Sequence, residues 1–364
     1  MSKPTNESLG EDLTIIWTIA SKDIIDALKN RVVISLIIML SIMLLLPKML
    51  PLIFEAPEMT LPVYDLGDSG LAAALKNVPD LSAPVLRSEQ EFRAALCSAV
   101  YPLIGLRLEA DFDQRFTSGE GLQFPGYVCW SKRYQVSELQ PKLEETLSQA
   151  LGKPATIQIE GNIVYPPTDG VLFLSLATVN SVLMILMMGV ILVPSLLFEE
   201  KETKTMQALL VSPASISQVV IGKALAGAFY ILVTSVMIFA ISWVEVIRWD
   251  MAIAFVIGGG IFSVAVGLVL GSFFEKQQDM IGWIAALMLL LVGAVLVDKL
   301  GMALPGWVET LLPWVPSVAL AEILQAAFAE KASLPQIAPN LGILLAVSLP
   351  LYAIVIWKVR RSDR

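Results

Sequence analysis

The chain of 364 residues contains no histidine. Metal sites built on imidazole, and acid–base catalysis that depends on it, are therefore excluded. Charge is scarce: 16% of residues are Asp, Glu, Lys or Arg, against about a quarter in soluble domains. No G-x-x-x-x-G-K-[ST] nucleotide loop occurs. The stretch "VVIGKALAG" has the Gly-Lys pair but neither the upstream Gly nor the following Ser or Thr. The long apolar runs have charge only at their ends, at Lys48, Lys223 and Asp298. Ion-coupled carriers place ionisable groups near the bilayer midplane, and ion pores line their path with charge or carbonyls, so neither class is supported. "GDSG" at 67–70 is similar to the nucleophile loop of trypsin-like proteases, but without histidine it reads as a turn after a strand. No catalytic residue and no metal site is expected.

Apolar length is abundant. Hydrophobic residues make up 56% of the chain, and the runs 171–198, 224–244, 251–274, 280–297 and 332–357 contain no charge. A sixth run, 32–54, is broken only by Lys48 near its outer end, where a lysine can snorkel to the interface. A helix crosses a bilayer core with about 20 apolar residues. The fold class expected is a membrane all-α bundle of six transmembrane helices, with an inserted α/β (or α+β) domain. The first run starts at Val32, too far in for a cleaved leader, so a retained anchor is expected. Lys22, Lys29 and Arg31 precede it. Lys201, Lys204 and Lys223 flank the second connection, Lys276 lies in the fourth, and Lys358, Arg360, Arg361 and Arg364 close the chain. Alternation puts all of these on one side, which the positive-inside rule makes the cytoplasm. The expectation is a multi-pass protein of the cell (plasma or inner) membrane with both termini cytoplasmic and residues 55–169 extracytoplasmic. The net charge is −8. Most of the acidic excess lies in 55–169, which argues against nucleic acid as a partner.

The chain divides accordingly. Residues 1–31 form a cytoplasmic N-terminus, and 32–54 the first transmembrane helix. Residues 13–31 repeat apolar positions at helical spacing. Ile15, Ile16, Ile19, Ile24 and Leu28 share one broad face, with Lys22, Asp23, Asp26 and Lys29 away from it. An amphipathic interfacial helix and a cytoplasmic extension of the first spanning helix both fit. Residues 55–169 read as β-α-β-α-β-β-α-β. Capping boxes are expected at Ser88–Glu91 and Ser137–Gln140. Cys97 and Cys129 both fall in this segment, and the residues leave open whether they are bridged or are two buried thiols. Residues 170–357 carry helices 2–6. Between the last two, residues 299–333 hold Pro305, Pro313, Pro316, Trp307 and Trp314, which suit short re-entrant or interfacial helices at the outer surface. Residues 358–364 are a basic tail. Gly267 and Gly271 form a G-x-x-x-G that permits close helix packing, within the bundle or across a dimer.

The most informative stretch is the cytoplasmic loop 199–216, "EEKETKTMQALLVSPASI". Its middle forms about two helical turns with Met206, Leu209 and Leu210 on one face. Ser212-Pro213 suits a cap and first turn, and Ser215–Gln218 a further capping box. The product is a short helix between two membrane helices that shows an apolar patch to the cytoplasm. A docking site for another protein and a hairpin lying on lipid headgroups fit equally.

Here the sequence resembles a known family. "EEKETKTMQALLVSPASISQVVIGK" is similar to the cytoplasmic loop of ABC-2 type exporter permeases, E-[KR]-E-x-G-T-x-E-x-L-L-x-[ST]-P-x-[ST] followed by a basic residue. Glu200, Lys201, Glu202, Thr205, Leu209, Leu210, Ser212, Pro213, Ser215 and Lys223 match, while Lys204 replaces the usual Gly and Gln207 the usual Glu. "IASKDIIDALKNRVVIS" resembles the family's interfacial helix and "LLPWVPSVALAEIL" its outer helices. "LPVYDLGDSGLAAALKN" resembles the start of the external domain in the sodium- or drug-efflux-like subgroup. The resemblance implies the membrane subunit of an ABC exporter that forms half of the path, with a second permease subunit, the same chain or a relative. It implies an ABC-type ATPase that grips this loop, and ATP and Mg bound by that partner rather than by this chain. Met206, Leu209 and Leu210 would form the docking face. Glu199, Glu200 and Glu202 would pair with basic residues of the ATPase or of the interfacial helix, Pro213 and Lys223 would set the joint to the third helix, and Thr205 belongs to the same coupling loop. Membrane lipid is the remaining partner. The alternatives are a membrane sensor or adaptor with an external ligand-binding domain, disfavoured because no output domain is present, and an ion-coupled secondary transporter.

Overall fold

A computed structural model describes residues 6–53, 59–67, 69–75, 78, 81–99, 101–110, 112–113, 122–165, 172–202, 215–274, 276–300 and 305–362. Two helices open the chain, α1 (Asn6–Ala27) and α2 (Arg31–Ile53), separated by a tight turn. An α/β domain follows, and then a helical bundle.

In the α/β domain the strands are β1 (Met59–Thr60), β2 (Val63–Asp65), β3 (Leu81–Ser82), β4 (Val85–Leu86), β5 (Ile104–Leu108), β6 (Leu122–Cys129), β7 (Ala155–Gln158) and β8 (Ile163–Val164). The main sheet runs β4-β2-β5-β6-β7, with β8 also on β6. All pairings are parallel except β5 with β6. β1 and β2, and opposite them β3 and β4, are two halves of one parallel pair interrupted at Pro62 and Pro84, which have no N–H for the ladder. The pair is bridged at the breaks by Leu61 N to Ser82 O (2.8 Å) and Val63 N to Pro84 O (2.9 Å). Likewise β7 and β8 are separated by a turn at Gly161, whose φ of 82° suits glycine.

The helices are α3 (Gly70–Leu75), α4 (Glu89–Ser98) and α5 (Leu139–Leu151). Ser88 caps α4 by accepting from Glu91 N (3.1 Å). The box expected at Ser137–Gln140 does not form: Glu138 is the cap residue and makes no side-chain bond. Gln140 instead donates to Ile157 O (2.8 Å), while Glu144 accepts from Ile157 N (2.8 Å) and Ser148 from Ala155 N (2.9 Å). The polar side of α5 thus covers the backbone of edge strand β7, a more valuable use of these groups than a helix end. The "GDSG" turn is closed by Asp65, which accepts from Gly67 N, Ser69 N and Ser69 Oγ at 2.7–3.0 Å.

The sheet has two unlike faces. One packs Val63, Leu106, Phe124, Leu143 and Leu147 into the domain's own core. On the other, α4 lays Phe92 across Gly105, where a Cβ would sit 2.6 Å from the ring. Phe92, Leu96, Cys97, Cys129 and Val164 there belong to one apolar cluster with the helices of the bundle. Cys97 and Cys129 are joined by a disulfide with a Cα–Cα distance of 5.2 Å.

In the bundle, α6 (Leu172–Met187) and α7 (Val193–Glu202) form one rod through a π-turn at Met188–Leu192. Pro194 explains the turn: it cannot donate to the carbonyl four residues back, at Val190, and the widened turn relieves the clash of its ring. Then come α8 (Ile216–Ile241), α9 (Trp249–Phe273), α10 (Gln277–Lys299), α11 (Gly306–Leu311), α12 (Pro316–Ala327) and α13 (Leu334–Ser362). Five helices among the described residues are long and apolar enough to cross a membrane: Ser175–Phe198, Ser217–Ile241, Trp249–Phe273, Gln277–Lys299 and Leu334–Arg361. The pair Gly306–Trp314 and Pro316–Ala327, bent by 72°, would make a sixth if counted as one span. α2 has 23 residues, with a described apolar stretch at Val33–Leu45.

The rod α6–α7 is the central helix, 78% buried in its apolar window, whereas α10 and α13 are peripheral at 17% each. α12 is not a surface helix. Val318–Leu324 are buried apart from Glu322, and Ser317 Oγ donates to Leu291 O (2.7 Å). Trp307 and Trp314 just before it are exposed.

Candidate functional site

The loop that carries the most specific sequence pattern lies mostly outside the described residues: Thr205, Met206, Leu209, Leu210 and Pro213 are not among them. Glu199, Glu200 and Glu202 fall on the last turns of α7. What the structure describes is how the loop's two ends are fixed.

On the far side of the loop, Ser215 starts α8 with a complete capping box. Ser215 Oγ accepts from Gln218 N (3.3 Å), and Gln218 Oε1 accepts from Ser215 N (2.8 Å). The helix therefore begins eight residues before the charge-free run that starts at 224, and Lys223 lies inside it rather than at its end. Alongside lies α1, which packs along α8. Gly222 permits the approach, since a Cβ there would meet Ile19 Cγ2 at 2.7 Å. Lys223 Nζ donates to Asp23 Oδ2 at 3.0 Å. Lys223 is 1% exposed and Asp23 7%, so this is an ion pair sealed between two helices. Tyr230 Oη donates to Ile24 O (2.6 Å), and Gln218 Nε2 to Asp12 Oδ1 (2.7 Å). Three polar ties span the contact, from Gln218, Lys223 and Tyr230 of α8 to Asp12, Asp23 and Ile24 of α1.

The buried stripe of α1 is Ile16, Ala20, Asp23 and Ala27, with Ile16 half-buried. This corrects the expected face. Leu28 is exposed, and Asp23, assigned to the polar side, is buried. The small side chains of Ala20 and Ala27 let the helices come close, and Asp23 sits between them opposite Lys223. Leu13, Trp17, Ile25 and Leu28 are left exposed on a second apolar side. α1 thus has a packed side, an apolar free side and a polar side with Lys22 and Lys29, the pattern of a helix lying in an interface.

Near the loop's other end, the rod α6–α7 is gripped by α9. A Cβ at Gly267 would lie 2.1 Å from Gly189 O, and one at Gly271 2.5 Å from Leu197 Cδ1. Of the two uses open to the G-x-x-x-G, the structure shows packing within the chain. Gly189 itself lies in the π-turn, so the tightest glycine contact among the described residues falls where the rod is locally unwound.

A family model described as "ABC-2 family transporter protein" matches residues 32–357. The chain belongs to the ABC-2 transporter family. Comparison with curated proteins gives no match. An ABC-2 permease is the membrane-spanning transport component of an ABC transporter, and the family generally works with an ABC ATPase. The match begins at residue 32 and so excludes α1, the element that completes the joint. Residues that the sequence reading did not place in this permease's joint are Asp23, Asp12 and Tyr230. The available signal was the spacing Ile16-Ala20-Asp23-Ala27, a helical stripe of small and apolar residues broken by one carboxylate, together with a lone lysine immediately before the third apolar run that follows it.

Proposed function

We propose that this chain is the permease subunit of an ABC exporter, forms half of the path with a second permease subunit, and is driven by a separate ATPase that grips the loop 199–216. In this reading α2 is a sixth spanning helix and α11–α12 are re-entrant. The termini and loop are cytoplasmic, residues 55–169 are extracytoplasmic, and ATP with Mg binds the partner. The external domain inserted after the first span fits the sodium- or drug-efflux-like subgroup.

The observation that carries this reading is the buried Asp23–Lys223 pair. A buried ion pair gains little net stability, because desolvating both charges costs about as much as their attraction returns. Removing one partner strands the other charge, so the pair holds its two helices in one register. This one locks an interfacial helix to the helix that leaves the loop. A force applied to the loop is then carried into α8 and α1 together instead of being lost in a flexible hairpin. The π-turn in the preceding rod offers the matching point of compliance on the other side.

The test is a pull-down in mild detergent. A P-loop ATPase should co-purify with the wild-type chain and be lost from L209D/L210D, while the variant keeps its thermal stability. Recovery of a response regulator, or equal ATPase recovery from the variant, would contradict the proposal.

A further inference from the structure

At the end of the bundle opposite the loop, α8 and α9 line a groove of ≈ 540 Å³, within the range of small-molecule sites, about 300–1,000 Å³. Its walls are two helical stripes, from Leu232 to Trp243 and from Trp249 to Ile257, and Ser235 is the only residue lining it that is neither apolar nor aromatic. The Ser235 hydroxyl is satisfied by Ile231 O (2.7 Å), so nothing in the groove asks for a polar ligand. The mouth differs. Trp243 and Trp249 are each about half exposed, as indoles are where hydrocarbon meets water. Tyr134 of the α/β domain stands over Trp243, ring centres 5.9 Å apart.

Beside Tyr134 is Arg133, half-buried, with its guanidinium 3.6 Å from the Trp130 ring centre and 4.4 Å from that of Tyr134. Three donations fix it: Nη1 to Trp130 O (2.5 Å) and Val244 O (3.3 Å), and Nη2 to Tyr134 Oη (3.3 Å). A guanidinium has five N–H donors, so two remain. The other charges nearby do not match it. Arg248 is engaged by Asp250 (2.7 Å), and Glu245 is buried. No carboxylate among the described residues forms an ion pair with Arg133.

An apolar trench with an aromatic rim and a cation fixed at its mouth has the polarity of one molecule class, an amphipath with an acyl tail and an anionic head. We propose that this groove holds an anionic phospholipid of the leaflet beside the α/β domain, with an acyl chain along α8–α9 and its phosphate against Arg133. Arg133 also bonds Val244 O, so the lipid would bridge the α/β domain and the α8–α9 connection. This inference is independent of whether a motor acts at the other end.

The test is native mass spectrometry of the purified full chain, titrated with phosphatidylglycerol or phosphatidylcholine of the same acyl chains. The wild type should retain one phosphatidylglycerol with about tenfold preference, the scale of a charge-assisted contact. R133K should keep most of that preference, R133Q should bring it near unity, and V236W, which fills the trench, should lose both lipids. Equal retention of the two lipids by the wild type, or retention unchanged in V236W, would overturn the proposal whether or not R133Q folds. So would disulfide cross-linking of I253C between two copies in membranes, which would show a second chain closing the groove.

Discussion

At the loop end of the bundle, α1 is fastened to α8 largely by side chains: one sealed ion pair, a tyrosine hydroxyl and a glutamine. At the domain end a covalent bond and main-chain groups are added to side-chain ties. Cys97 is bonded to Cys129, Arg133 reaches Val244 O, and both Ile247 N and Arg248 N donate to Ala327 O at 2.9 Å. Lys299 ties α10 to α12 through Glu322 and Gln325. Side-chain ties hold α1 to α8 with no covalent bond between them. Main-chain and covalent ties build a frame. The difference fits the proposed reading, in which a partner acts on one end and the other is braced.

The strongest way to break the comparison is at the ion pair. K223A leaves the Asp23 carboxylate buried without its cation and should cost about 3–5 kcal/mol, read as a lowered melting temperature of the purified chain. The exchange D23K/K223D should recover much of this. The neutral pair D23N/K223Q should be milder than K223A, because no charge is stranded. Equal stability of K223A and wild type would remove the pair from the joint.

The covalent side comes next. Cys97 and Cys129 are 32 residues apart, so loop-closure entropy makes the bridge worth about 3–4 kcal/mol. C97S/C129S should lower the melting temperature and expose the α/β domain to protease, with α1 and α8 still resistant. Protease opening at α1 first would mean that the two ends are not separately fastened. The smallest effect is expected from Y230F, which removes one hydroxyl donor and should cost about 1 kcal/mol. A wild-type melting curve would show that the Tyr230–Ile24 contact adds nothing.

Much of the bundle was legible in the residues. Charge-free runs longer than the bilayer core point to spanning helices because backbone groups in lipid must be satisfied internally. The loop pattern led to the family. Two kinds of information were not legible. The first is which helix face meets which neighbour. Asp23 reads as solvated until the lysine 200 residues later is known to lie against it, and Lys223 reads as the charged end of an apolar run although the capping box expected at Ser215–Gln218 already starts α8 before it. The second is competition for side chains. Gln140 fits a capping box locally, and edge strand β7 claims it instead. The π-turn at Met188–Leu192 was not anticipated either, although Pro194 is its cause and Gly189 within it packs on Gly267.

The proposal turns on α1 and α8 travelling as one body when the proposed ATPase partner acts. Among the described residues there is no free cysteine, so spin labels can be placed at K22C and L225C across the joint, and at K22C and D279C across the bundle. Distances would be measured by pulsed electron resonance with the ATPase bound, before and after ATP. The prediction is an unchanged distance within the joint and a shifted distance to α10. A distance between residues 22 and 225 that changes with ATP, while that to residue 279 stays fixed, would contradict the account.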